Sequence, residues 1–141
     1  MAMPDLLDQS APSVEMVLTT WLSPLGKVGT RRKAGDPVPQ RIVKRVAGAD
    51  DPIVGVDEAT VSVHTFAASD VAAIEESDKT HRRMCYLAVN PDTRITLAAG
   101  RVVNVDYCIP RLAPGELDYE DPSVVRYVAR YEIGISYSPA Q

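Results

Sequence analysis

Residues 123–138 read "SVVRYVARYEIGISYS", and no other stretch limits the possible folds of this chain so tightly. Val125, Tyr127, Ala129, Tyr131, Ile133, Ile135 and Tyr137 fall on one side of a period of two. Arg126, Val128, Arg130, Glu132, Gly134 and Ser136 fall on the other. Strict alternation over this length predicts a long β-strand with one apolar face. Such a strand needs a sheet beside it and a hydrophobic layer over its odd face. The odd face is therefore expected to be core. The even face, with Arg126, Arg130 and Glu132, has no evident partner within one copy and is expected to be an assembly or lumen surface.

The cover for the odd face is legible further back. Ser69 and Asp70 open a helix whose acids, Asp70, Glu75 and Glu76, precede its bases, Lys79, Arg82 and Arg83. That order matches the helix dipole, and Asn90-Pro91 ends the run. A helix of this length spans roughly 30 Å at about 1.5 Å per residue, enough to cross a sheet. Its expected inner stripe is Val71, Ile74, His81, Cys85 and Ala88, with Met84 and Leu87 beside it. A shorter helix, capped by Ser10 or Ser13, carries Val14, Val17, Leu18, Trp21 and Leu22 at helical spacing and ends near Ser23-Pro24.

Extended segments fill the rest. Lys27–Lys33 and Pro39–Ala47 are joined through Gly35, Asp36 and Pro37. "ADDPIVGVDEA" reads as a turn-rich loop. Ala59–Ala67 alternates as a strand, and Arg101–Ile109 is another, broken by Pro110, Pro114 and Gly115. The predicted order is α-β-β-β-α-β-β. The fold class is α+β: a mostly antiparallel or mixed sheet of about five strands with one long and one short helix on one face. The 141 residues suit a single domain over 13–141, after a loose lead-in over 1–12.

Little in the sequence points to chemistry. There is no GxGxxG and no Walker loop. Cys85 and Cys108 lack metal-ligand spacing and are expected to be buried small hydrophobes. Catalytic and metal-binding residues are therefore predicted to be none, and no cofactor is expected. A Cys-His nucleophile would draw on Cys85, His64 and His81, with His81 otherwise expected beside Asp78. The acids Glu116, Asp118, Glu120 and Asp121 lack the glycine-containing pattern of a calcium loop. No apolar run is long enough to span a bilayer, and the first residues do not resemble a secretory leader, so the chain is expected to act without a membrane.

Charge is more informative. The net charge of −4 is unlike that of a dedicated nucleic-acid binder. Yet Lys27, Arg31, Arg32, Lys33, Arg41, Lys44 and Arg45 gather in one ribbon with a single acid, Asp36. Acids gather in Asp50, Asp51, Asp57 and Glu58, and again in Glu116, Asp118, Glu120 and Asp121. One reading is a solvated edge carrying charges that prevent aggregation. The other is docking between copies, with Arg31, Arg32, Arg41, Lys44 and Arg45 of one copy meeting Glu116 to Asp121 of the next, in contacts that close a ring.

Taken together, "TRRKAGDPVPQRIVKRVAG", "GVDEATVSVHTFAAS", the helix "DVAAIEESDKTHRRMCYLAV", "PRL" and the terminal "VVRYVARYEIGISY" resemble the tail terminator proteins of long, non-contractile-tailed bacteriophages, particularly those of actinobacterial hosts. The resemblance spans about residues 13–138. It implies helices on one side of a sheet and a homo-oligomeric ring, typically a hexamer. The ring caps the tail tube, stops its growth and meets the head completion or connector proteins, with DNA passing through its lumen. The implied location is the neck of the virion, after synthesis in the host cytoplasm. The family has no catalytic residues to carry over; the contact residues above come from charge alone. Two alternatives stand beside it: another neck protein, such as a connector or tail-completion subunit, and a small enzyme or ligand-binding domain.

Overall fold

The computed structural model describes residues 5–140. Its elements, in chain order, are β1 (Gln9–Ser10), α1 (Val14–Leu22), β2 (Lys27–Gly29), β3 (Gln40–Asp51), β4 (Val56–Ala67), α2 (Asp70–Val89), β5 (Thr93–Thr96), β6 (Val102–Leu117), β7 (Val125–Ser136) and β8 (Ser138–Pro139), with a 3-10 turn at Ser23–Leu25. Strands β2-β3-β4-β7-β6-β5 form one six-stranded sheet. Only the β2–β3 pair is parallel. The α+β class with a mixed sheet is as expected, with six strands in place of about five. Part of the expected lead-in is structured: β1 pairs with β8, and Arg101 donates to the Ser10 and Ser138 carbonyls at 2.7 and 3.1 Å. Residues 1–4 of that lead-in lie outside the described residues.

Both helices lie on one face. The odd residues of β7, namely Ala129, Tyr131, Ile133 and Ile135, join Val43, Ala59, Val61, Val63, Val103 and Val105 in one core. Val14, Val17, Leu18 and Leu22 of α1 and Met84 and Leu87 of α2 close it. Each such side chain contributes about 1.5–3 kcal/mol when fully buried. Helix α1 touches β3 and β5, which stand on opposite flanks of the sheet, so the sheet curls around it. Helix α2 lies over β4, β7 and β6. Ser69 caps α2 by accepting from the Ala72 amide at 3.2 Å. The two helices clamp each other: Trp21 donates Nε1–H to the Arg83 carbonyl and Arg83 donates Nε–H to the Trp21 carbonyl, both at 2.9 Å. The Arg83 guanidinium stacks 3.7 Å from the indole centroid. Neither helix is long and apolar enough to cross a membrane.

Several strands depart from expectation. Of the "ADDPIVGVDEA" segment only residues 52–55 form the expected turn: β3 and β4 run through the rest as a long hairpin, with Val46 unpaired in a bulge between Arg45 and Ala47. Gly48 follows at φ +119°, and a Cβ there would meet the Glu58 carbonyl oxygen at 2.1 Å. Only glycine fits that close approach. Strand β6 continues past Pro110 and Pro114, because beyond Val105 it pairs only with β7 and its other edge is free. The segment expected over Lys27–Lys33 is ordered as a strand only over Lys27–Gly29.

The inner stripe of α2 is also rotated. Ala73, Ser77, Thr80, Met84 and Leu87 are buried, whereas Val71 and Ile74 are exposed. The cause is Arg41, a residue expected on a subunit contact. Its place in β3 puts it on the helix face, where it is fully buried and beyond any neighbour's reach. Its Nε donates to Thr80 Oγ1 at 2.7 Å. Its Nη2 donates to the Glu76 carboxylate at 2.6 Å and the Glu76 carbonyl at 3.1 Å, and its Nη1 to the Leu25 carbonyl at 3.3 Å. Burial pushes the Glu76 carboxyl up, but the hydrogen bond and charge of Arg41, with Lys79, outweigh that and hold it below its ordinary range. Arg41→Met leaves the Glu76 carboxylate with only Lys79 and removes the side-chain donor to the Leu25 carbonyl. It is expected to cost about 2–4 kcal/mol in urea unfolding, and Arg41→Met with Glu76→Leu is expected to recover part of that loss.

Candidate assembly surface

The other face of the sheet has no helix over it. Its rows follow from the register: Gln40, Phe66, Arg126 and Leu117; Ile42, His64, Val128 and Gly115; Lys44, Ser62, Arg130 and Leu112; then Thr60, Glu132 and Ile109. Two side chains of this face are covered from outside the strands. Tyr119, from the β6–β7 connection, sets its ring edge-on to Phe66, 5.0 Å between centroids. Arg32, from the β2–β3 connection, lies 5.0 Å from Phe66 and 5.9 Å from Tyr119, and Arg126 lies 5.3 Å from Tyr119. The aromatic pair is thus held between two guanidinium groups. Arg32 is fixed further by Gln40 Oε1 at 2.7 Å, and Gln40 donates in turn to Asp36 at 3.1 Å.

Within one copy, this stack already joins the β6–β7 connection to the ribbon through Tyr119 and Arg32. Arg126 donates to the Asp118 carbonyl, and Asp121 turns inward to accept from the Ser123 amide and hydroxyl at 2.9 and 2.6 Å. Glu116, Asp118 and Glu120 are exposed. Arg45 is also engaged, on the helix face, where it binds Asp57 through both nitrogens at 2.6 and 2.8 Å. The expectation that Arg126 and Glu132 lack partners within one copy is likewise corrected, since Glu132 accepts from Arg111 at 2.7 Å. Arg31 and Arg130 are exposed, and Lys44 is half-buried on the open face.

Between these groups lies a cleft of about 370 Å³. Ile42, His64 and Phe66 form its floor; Arg31, Arg32, Lys44 and Arg126 rim it, with Glu120 as its one carboxylate. Charge alone marked Arg31, Arg32, Lys44, Glu120 and Arg126 in the sequence; Tyr119 and Phe66 carried no signal, because Tyr119 reaches the site from a separate connection. Beside it, Leu112 and Leu117 are about half exposed, and Ile109 is 38% exposed.

His81 and Cys85 do meet, on the opposite face. Cys85 Sγ lies 3.4 Å from His81 Nε2, and His81 Nδ1 lies 2.6 Å from the Tyr131 hydroxyl. His81 is therefore not the partner of Asp78, which pairs with Arg82 at 2.9 Å. Burial pushes the Cys85 thiol up and the Cys108 thiol to about 12, the wrong direction for a nucleophile. His64, the third candidate, lies on the open face, 3.1 Å from Ser62. Among the described residues, no group of three or more His, Cys, Asp or Glu is placed to hold a metal ion. No protein-family model matches the chain, and no curated protein matches it.

His64 records the field of the cleft. Burial first, then the charges of Arg126 and Arg130, lower its pKa from 6.5 to about 4. The unfolded chain takes up this proton before the folded one. The stability tied to neutral His64 is thus complete above about pH 6.5 and is lost as pH falls through about 4. The thermal midpoint is expected to fall across that window, and His64→Gln is expected to flatten the fall.

Proposed function

We propose that this chain is a structural subunit of a phage tail. Copies form a ring that caps the tail tube, ends its growth and joins it to the head completion or connector proteins, with DNA passing through the lumen. The observation that carries this reading is the sheet face with no helix over it. There, half-buried and exposed cations stand beside Ile109, Leu112 and Leu117. Apolar groups rimmed by charge are the usual composition of a protein contact. The six-stranded sheet with both helices on its other face agrees with the fold that the resemblance implies.

The available charge supports the same reading. With Arg41 and Arg45 engaged internally, Arg31, Lys44 and Arg130 are among the cations that can meet a neighbour. A net charge of −4 suits a lumen through which DNA must slide, since a strongly basic wall would hold phosphates by counterion release. A connector or tail-completion subunit would share the ring and the exposed face, so the test must read tube growth. Purified protein is expected to form rings in negative stain. Added to polymerising tube protein, it is expected to shorten the tubes and cap one end. Rings with unchanged tube lengths would favour the other neck role, and a strict monomer at high concentration would reject both.

A further inference from the structure

We propose that the tip of the β3–β4 hairpin of one copy docks into the basic cleft of the next, giving a head-to-tail contact between copies of this chain. The inference deepens the ring reading above and rests on it.

The tip is built to be presented. Ile53 is 94% exposed and Val54 71% exposed, the most exposed aliphatic pair adjacent in this sheet. Their backbone is fixed, not loose: Asp51 Oδ1 accepts from the Ile53 and Val54 amides at 3.0 and 3.1 Å, and the Asp51 carbonyl accepts from the Gly55 amide at 2.8 Å. Asp50, behind them, accepts from the Tyr137 hydroxyl at 2.8 Å. The result is a rigid apolar knob backed by two carboxylates. A turn whose backbone is already hydrogen-bonded loses less entropy on docking.

The cleft is its complement in charge. Its rim has four cations against one carboxylate, over a floor of Ile42 and Phe66 that is itself buried, beside a neutral His64. The cleft, of about 370 Å³, is open to the surface, so a hairpin tip can approach it from outside. The two features cannot meet within one copy. Lys44 and Ile53 belong to opposite ends of the same β3–β4 ribbon, and at about 3.3 Å per residue they stand roughly 30 Å apart. The register of that ribbon is continuous on both sides of its single bulge, so it does not fold back. A knob at one end and its socket at the other make a heterologous contact, which generates a ring when the rotation closes.

The test uses charge exchange, read by analytical ultracentrifugation of the full chain at low salt. Ile53→Lys places a cation on the knob. Arg31→Glu with Lys44→Glu places acids on the rim, and Arg31→Glu alone, at an exposed position, serves if the double variant folds poorly. Each is expected to raise the concentration for half-assembly about tenfold or more. An equal mixture of Ile53→Lys and the rim variant is expected to reassemble, since the cation introduced on the knob of one copy then faces acids on the next. High salt is expected to weaken the wild-type contact. If all variants sediment as the wild-type oligomer, the ring stands and this contact is overturned. If the wild type is a monomer at every concentration, both fall. If the rim variant assembles normally but loses binding to a short DNA duplex, the cleft is a polyanion site and the proposal is overturned.

Discussion

A guanidinium with no exposure to water needs its donors satisfied and its charge compensated, and Arg41 obtains both from α2 and the turn after α1. Its hydrogen bonds reach Thr80, both the carboxylate and the carbonyl of Glu76, and the Leu25 carbonyl. The group therefore ties a sheet strand to the middle of one helix and the end of the other. It also sets the rotation of α2, because Thr80 must face inward to accept from Nε. Once that rotation is set, Met84 and Leu87 enter the core, while Val71 and Ile74 turn to solvent. A buried ion pair adds little net stability over an apolar replacement, but breaking one is costly, and it admits few alternative arrangements.

That same interaction marks where sequence reading succeeds and fails. The ends of α2 were legible because Ser69 and Asn90-Pro91 act locally through capping and backbone restriction. The odd face of β7 was legible because alternation survives in any sheet. The stripe of α2 was not, since Ser77 and Thr80 count as polar until a buried arginine is known to lie opposite. Nor could composition separate Arg41 from Arg31: both read as members of a basic ribbon, and only the facing of β3 divides them. The prolines of β6 suggested an end to the strand, but a free edge tolerates their missing amides. The candidate contact surface was visible only as a charge imbalance. Its aromatic stack is assembled from connections far apart in the chain, and no local pattern announces it.

The two faces of the sheet divide the protein's work. The helix face holds the fixed apolar core, the buried Arg41 with its ion pair and the partly exposed pair of Arg45 with Asp57. The open face holds cations stacked on rings, with apolar side chains left partly in water. The acidic β6–β7 connection sets Tyr119 against Phe66 and leaves Glu116, Asp118 and Glu120 exposed.

Trp21 is the single tryptophan of the chain, and it stands at the joint between α1 and α2 beneath the Arg83 guanidinium. Its emission is thus an intrinsic optical reporter of that joint. The reciprocal bonds with Arg83 must open before the helices separate, and the indole then passes from a stacked, partly dry site into water. The open face of the sheet lies on the other side from this residue, so the spectrum reports on the helical layer.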